Sequence, residues 1–237
     1  MSLQDDSETP WPRVLVGMPK SRTLPLCGAL SLVKVAQRGY PIIDLPYSRT
    51  DVARNKFAEH LLESQFTHVL MLDDDHQHPD DIVERLSRWV IEDPAKLVIA
   101  GLVQRRGEPF DALVLFPDGA GKVYSPIDYP DGLLNVRNEH GPGWVATSAI
   151  LIAREVFERL EWPWFAHTYP KRGEYPTEDI YFCNKCHDAG IDLWVDTTTE
   201  SPHMTEVFIT KETHQNYIKA HPEMVEHIDR TEVIHGS

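Results

Sequence analysis

Apolar residues along the first hundred positions fall into two alternating textures. Short unbroken runs at Arg13-Val14-Leu15-Val16-Gly17-Met18-Pro19, Tyr40-Pro41-Ile42-Ile43-Asp44-Leu45, Val69-Leu70-Met71-Leu72 and Leu97-Val98-Ile99-Ala100-Gly101-Leu102-Val103 read as strands covered on both faces. Between them, apolar residues recur at helical spacing. This predicts helices over Leu24 to Gln37, stopping at Gly39, over Asp51 to Ser64, and from Pro79 through Val90, the last with proline at its favoured first position. Strand and helix alternate throughout residues 13 to 103, the pattern of a parallel sheet with helices on both faces.

The second half has a different texture. Ala112 to Phe116 and Gly121 to Tyr124 predict a short antiparallel pair around Asp118-Gly119, with Leu133 to Asn138 pairing nearby. Gly141-Pro142-Gly143 is a turn, Val145 to Ala153 a strand and Glu155 to Leu160 a short helix. Trp162 to Thr177 reads as a loop whose aromatic and basic first part, through Arg172, suits a lid that orders over a ligand. A helix ending at Gly190, a last strand at Leu193-Trp194-Val195-Asp196, and a helical segment from Thr210 to Ile228 broken near Pro222 complete the chain. Residues 1–12 are expected to be a flexible segment and 13–237 a single domain. Within it, 13–105 form a nucleotide-binding half, 106–209 an acceptor and catalytic half, and 210–237 a C-terminal helical segment.

The third strand runs straight into Asp73-Asp74-Asp75-His76. Ligands of open α/β sheets bind beyond the carboxyl ends of the strands, so the triplet stands where such a ligand would. Alternation along extended backbone sends Asp73 and Asp75 to one side and Asp74 to the other. An Asp-x-Asp pair can then hold one Mg²⁺ or Mn²⁺ that in turn holds a diphosphate. The competing reading is a solvated acidic turn capping the next helix. His76 and His78 are further possible ligands, although the expectation is that both face solvent at the start of that helix.

Charge narrows the partners. With 23 Lys and Arg against 37 Asp and Glu, the formal net charge of −14 disfavours a broad grip on nucleic acid or an anionic membrane. A local basic groove from Arg49, Arg54, Arg105 and Arg106 near the active edge remains compatible with a phosphorylated ligand. No run of about 18 apolar residues exists and the N-terminal residues lack the pattern of a secretory signal, so the expected location is the cytoplasm, with no integral membrane segment. Three cysteines argue against a disulfide framework. Cys183-Asn184-Lys185-Cys186-His187 matches the haem-attachment spacing, and could alternatively supply zinc ligands, but it lies within an apparent amphipathic helix and lacks a local fourth ligand.

Two further groups carry candidate chemistry. Thr177-Glu178-Asp179 opens a helix, where Thr177 can cap and the carboxylates suit the helix dipole. Alternatively one carboxylate of the pair, Asp179 in preference to Glu178, acts as a general base toward an acceptor hydroxyl. His203, after the last strand, is either a packed imidazole or a metal ligand.

An apolar strand ending in Asp-x-Asp, a later Gly-rich turn before an apolar strand, Glu-Asp at a helix start and a His after one more strand, in that order, resembles the GT-A family of nucleotide-sugar-dependent glycosyltransferases. Arg49-Thr50-Asp51-Val52-Ala53-Arg54-Asn55 resembles the Arg-Asn segment of its family-2-like members. The resemblance spans residues 13 to 205. It implies an α/β fold with a Rossmann-like, mostly parallel sheet, flanking helices and a small antiparallel acceptor-side portion. It also implies a metal-dependent transfer of a sugar from a nucleoside-diphosphate sugar, UDP-sugar favoured, to an acceptor glycan, small molecule or modified DNA base.

Carried over residue by residue, the resemblance assigns Asp75 and His203 to the metal, with Asp73 between metal and ribose and Asp74 beside them. Asp44, Arg49 and Arg54 would contact the nucleotide. Asp179, with Glu178, would serve as base in an inverting transfer, and Gly143 and Trp144 would wall the acceptor side, where the indole can stack on a sugar. Two alternatives are a nucleotidyltransferase and a non-catalytic nucleotide-sugar-binding module. The first is disfavoured because Gly17-Met18-Pro19-Lys20 is no Gly-rich phosphate loop.

Overall fold

The structure, a computed structural model, describes residues 11–107, 109–168, 176–205 and 210–220. The chain forms two compact units, Met1–Met204 and Thr205–Ser237. Within the second, the described element is helix α6 (Lys211–Ala220). The expected break near Pro222, the N-terminal segment up to residue 10 and the middle of the Trp162 to Thr177 loop lie outside the described residues. No helix among the described residues is long and apolar enough to cross a membrane.

The first unit alternates as its hydrophobic pattern predicts: β1 (Val14–Gly17), α1 (Leu26–Gln37), β2 (Ile42–Ile43), α2 (Thr50–Leu62), β3 (His68–Leu72), α3 (Ile82–Glu92) and β4 (Val98–Leu102). There follow β5 (Val114–Pro117), β6 (Val123–Tyr124), β7 (Leu133–Asn135), β8 (Arg137–Asn138), β9 (Gly141–Pro142), β10 (Trp144–Val145), β11 (Ala149–Ala153), α4 (Arg154–Arg159), α5 (Glu178–Asp188) and β12 (Trp194–Glu200). A seven-stranded sheet in the order β2-β1-β3-β11-β4-β12-β7 is the centre of the molecule. The architecture is α/β with a mostly parallel sheet and flanking helices, as expected.

Side-chain alternation divides the core between the two sheet faces. Leu15, Val69, Met71, Ile150 and Ile152 pack with Phe57 and Leu61 of α2, Phe157 of α4 and Phe182 of α5. Val14, Val16, Leu70, Leu72 and Leu151 pack with Val35 of α1 and Ile82, Leu86 and Val90 of α3. Strands β1, β3, β4 and β11 are buried at every position, which is why they carry no polar alternation.

Four elements differ from the sequence expectation, the first being Gly141-Pro142, expected within a turn but paired as β9 with β8. The segment expected as one strand over Val145 to Ala153 is two: β10 pairs with β5 in a small sheet, whereas β11 enters the large one. There β11 lies antiparallel between β3 and β4, matching Ala149 to Leu72 and Ile152 to Val98. A fully apolar strand carries no record of its direction, so this insertion is silent in the pattern. Residues of β7, expected beside the small hairpin, instead form the edge of the large sheet against β12.

Candidate metal and diphosphate site

A cleft of about 620 Å³ opens where β1, β2 and β3 end, walled by the loops that follow them and by residues from α5 and the segment before it. Asp73, Asp74 and Asp75 line it together with Lys20, Arg49 and Glu178. The three aspartates are neighbours in sequence, yet each is held by a different part of the molecule.

Asp73 is tied from below. Its Oδ1 accepts from Nη2 of Arg54 at 2.7 Å, while Nη1 of the same guanidinium reaches Oε1 of Glu178 at 3.0 Å and Nη2 also reaches the Thr147 carbonyl at 3.3 Å. The Arg54 side chain is only 1% exposed. It therefore fastens strand end, α2 and α5 to one another instead of contacting a nucleotide, as the family resemblance had implied. Asn55 extends the seam. Its Oδ1 accepts from the Trp164 and Phe165 amides and its Nδ2 donates to the Phe165 carbonyl, fixing the chain that leads toward α5.

Asp74 points the other way, into the β1–α1 connection, and is buried. Its carboxylate accepts from the Ser21 amide at 2.6 Å and the Ser21 hydroxyl at 3.1 Å. Burial pushes its pKa up against these hydrogen bonds, with Asp75 and Asp73 adding to the rise. Asp74 clamps the loop carrying Lys20, so its role is to shape the cleft wall. Helix α1 closes on the same point, because a Cβ at Gly28 would stand 2.3 Å from the Asp74 carbonyl oxygen. Only glycine permits that approach.

Asp75 faces across to the C-terminal half. Residues His76 and His203 form an isolated antiparallel bridge, with Gln77 N donating to Pro202 O at 2.9 Å and Met204 N to Asp75 O at 2.8 Å. This brings His203 Nε2 to 3.3 Å from Asp75 Oδ2. His203 Nδ1 lies 3.0 Å from the Gln104 carbonyl, which requires a proton on Nδ1 and turns Nε2 toward the carboxylate. His76 Nδ1 lies 2.9 Å from Asp75 Oδ1, and its ring stacks on that of His203 with centroids 4.0 Å apart. Burial works to raise the Asp75 pKa, but His76, His203 and the adjoining Arg106 outweigh it and hold the carboxyl well below its usual range.

Asp75, His76 and His203 each offer a ligand atom, all within 4.8 Å of one another, and this is the one such group of three or more among the described residues. Nε2 of His76 is buried with no hydrogen-bond partner, an orphan of the kind that a missing ligand leaves. One carboxylate with two imidazoles suits a divalent transition ion such as Mn²⁺. The residues fit a metal.

The expectation for the two neighbouring histidines is overturned. His76 and His78 are 1% and 2% exposed. His78 belongs to the scaffold: Nε2 sits 2.8 Å from the Asp73 carbonyl and Nδ1 3.0 Å from the Ser201 hydroxyl. A burial-driven fall of its pKa to about 4 keeps it neutral.

The remaining predicted residues are scattered around this centre. Arg49 lines the cleft, largely exposed, and pairs with Asp51. Asp44 is 88% exposed and pairs with Lys20, outside the cleft lining. Glu178 lines the cleft but is committed on both oxygens, to Arg54 and at 3.3 Å to His167 Nε2. That makes it a brace and not the second half of a catalytic pair. Asp179 sits beside it without lining the cleft, and its Oδ1 accepts from the Ile180 amide at 2.8 Å and from Thr177 Oγ1.

Gly143 and Trp144 are also away from the cleft. A Cβ at Gly143 would meet the Leu115 carbonyl at 2.1 Å, and Trp144 Nε1 donates to Asn184 at 2.8 Å. Cys183 and Cys186 are fully buried in the core, with burial raising both thiols. Neither is placed for haem attachment or for zinc.

The sequence matches no protein-family model and no curated protein. Solved structures do resemble it. A197 from STIV superposes with a TM-score of 0.59 at 15% identity, over 82% of this chain and 86% of that one. The fold is shared. The CTP complex of CMP:2-keto-3-deoxy-manno-octonic acid synthetase, also 15% identical, covers 91% of this chain and 98% of its own with a TM-score of 0.44, too loose a superposition to bear on chemistry.

Proposed function

We propose that this protein is a metal-dependent glycosyltransferase that takes a sugar from a nucleoside-diphosphate sugar, with Mn²⁺ or Mg²⁺ and a UDP-sugar as the favoured pair. The observation carrying the reading is the convergence of Asp75, His76 and His203 at the edge of a cleft that opens beyond the ends of parallel strands. A cation there supplies charge stabilisation to the departing diphosphate.

The chain's own residues supply the rest. Lys20 and Arg49 on the cleft wall provide positive charge for phosphate oxygens. Tyr47, which also lines the cleft and is 57% exposed, offers a ring face to a base. Arg54 holds Asp73 in place, and the Asp74–Ser21 clamp holds the loop bearing Lys20. Gln104 fixes the His203 tautomer. Asp179 does not line the cleft but adjoins Glu178, which does, and its Oδ2 takes no hydrogen bond among the described residues. As the proposed base it receives the proton of an acceptor hydroxyl whose oxygen attacks the anomeric carbon opposite the diphosphate, inverting that centre. The acceptor is a glycan, a small molecule or a modified DNA base.

A hydrolysis screen across nucleotide sugars with Mn²⁺ tests the reaction class without needing the acceptor. Release of nucleoside diphosphate supports the proposal, whereas pyrophosphate release would identify a nucleotidyltransferase. Asp179→Asn should lower turnover by about 10²–10⁴-fold while leaving UDP binding by calorimetry unchanged. Equal turnover in the variant would remove the base from Asp179, and the same substitution at Glu178 should instead loosen the fold.

A further inference from the structure

A guanidinium already stands where the cation is expected. Arg106 Nη2 pairs with Asp75 Oδ2, and the same side chain reaches His203 Nε2 through Nε at 3.1 Å and Nη2 at 3.0 Å. Arginine has only donors, so it consumes the carboxylate and imidazole lone pairs that a metal would use. Those two atoms are 3.3 Å apart, close to the spacing of neighbouring ligand atoms around an ion held at about 2.1 Å. Arginine and metal cannot both occupy that position.

The loop that presents Arg106 suits a side chain that leaves. Its base is fixed by the Gln104–Ala112 bridge and by the Arg105 to Asp111 pair, with backbone N–O 2.9 Å and Nε–Oδ1 2.6 Å. Arg106 begins the tip, and its side chain is 55% exposed. It can therefore swing into solvent, or over the cleft beside Asp75, without disturbing the core. Once displaced, its planar fork matches phosphate oxygens better than any lysine would.

We propose that Arg106 is a resident counter-ion of the Asp75–His203 pair, displaced when a divalent cation binds and then available to the phosphates of the ligand. The proposal rests on the metal-site reading above. It makes metal loading a charge exchange: one cation leaves the carboxylate as another arrives, and the one that leaves becomes part of the anion site. Metal alone then binds weakly and phosphate ligand strengthens it.

Calorimetric titration of the full chain with MnCl₂ alone, without nucleotide, tests this. Arg106→Gln and Arg106→Ala should each bind Mn²⁺ about tenfold more tightly than the unmodified protein, because the apparent dissociation constant is no longer the intrinsic one divided by a small fraction of open site. Lys122→Gln removes the same charge from the exposed connection between β5 and β6, outside the loop that presents Arg106, and should leave the affinity within about twofold, since exposed charges act weakly through solvent. With saturating Mn²⁺, UDP should bind about tenfold more weakly to both Arg106 variants, the loss expected for a charged hydrogen-bond pair.

Opposite changes for the two ligands support the exchange. Unchanged or weaker Mn²⁺ binding in the Arg106 variants would overturn it, as would an equal gain in Lys122→Gln, which would reduce the effect to bulk charge. Absence of Mn²⁺ binding in every protein would overturn it as well. In each of those cases the hydrolysis screen judges the transferase reading separately, because it measures product from the unmodified protein.

Discussion

Two arginines meet the acidic triplet from opposite sides, and burial separates their roles. Arg54 is 1% exposed and joins Asp73 to Glu178, whereas Arg106 is 55% exposed and covers Asp75 and His203. The chemistry of the contact is the same in both. A guanidinium withdrawn from water and paired on two sides has no competing partner, so it behaves as part of the frame. One that remains half in solvent exchanges its carboxylate for water or another ion at little expense. The triplet thus has a fixed end and an exchangeable end, three residues long.

Removing Arg54 should break the contrast most visibly. Arg54→Ala leaves Asp73 and Glu178 without their shared cation near the core, and about 3–5 kcal/mol of stability should be lost, read by chemical denaturation. Arg54→Lys should recover only part, because an ammonium cannot serve both carboxylates in the same fork.

A second measurement probes the fixed end through pH. His78, hydrogen-bonded to the Asp73 carbonyl, has its pKa lowered to about 4 by burial. An unfolded imidazole binds its proton near the ordinary value of 6.5 given for this group, so between these values the unfolded chain holds more protons than the folded one. Stability should therefore fall as pH drops from about 6.5 toward 4, by roughly 3 kcal/mol from this group. Buried His68, also lowered to about 4, adds in the same direction. His78→Gln should flatten the dependence relative to the unmodified protein, with His68 accounting for the slope that remains.

The smallest effect is expected at the exchangeable end. Arg106→Gln should change stability by no more than about 0.5 kcal/mol, as for most exposed substitutions, although its ligand-binding behaviour changes. A loss comparable to that of Arg54→Ala would erase the distinction between the two arginines.

Much of the frame is legible in the chain because it depends on local pattern. The β1-α1-β2-α2-β3-α3-β4 order follows from apolar runs and helical spacing, and the position of Asp73-Asp74-Asp75 at a strand end follows from the run before it. Arg54 is visible as a residue but not as a brace, since nothing local shows that Thr147 and Glu178 close around it. His76 reads as solvent-facing because its cover, the strand around His203, is supplied by a segment more than a hundred residues away. The inserted β11 is hidden for a different reason. Complete burial removes the alternation from which orientation might be read, and only the hydrogen-bond register reveals it. Arg106 shows the same limit at a side chain: charge placed it near the active edge, but contact with Asp75 depends on how the Gln104 to Ala112 loop closes.

The short bridge between His76 and His203 has a consequence for how the site can change. Main-chain bonds from Gln77 to Pro202 and from Met204 to Asp75 seat this strand, so its placement does not depend on an imidazole at position 203. That position behaves as a socket. A carboxylate, amide or thiol placed there by mutation would arrive at the same address opposite Asp75, and ion preference could be retuned one residue at a time while the surrounding architecture is inherited intact.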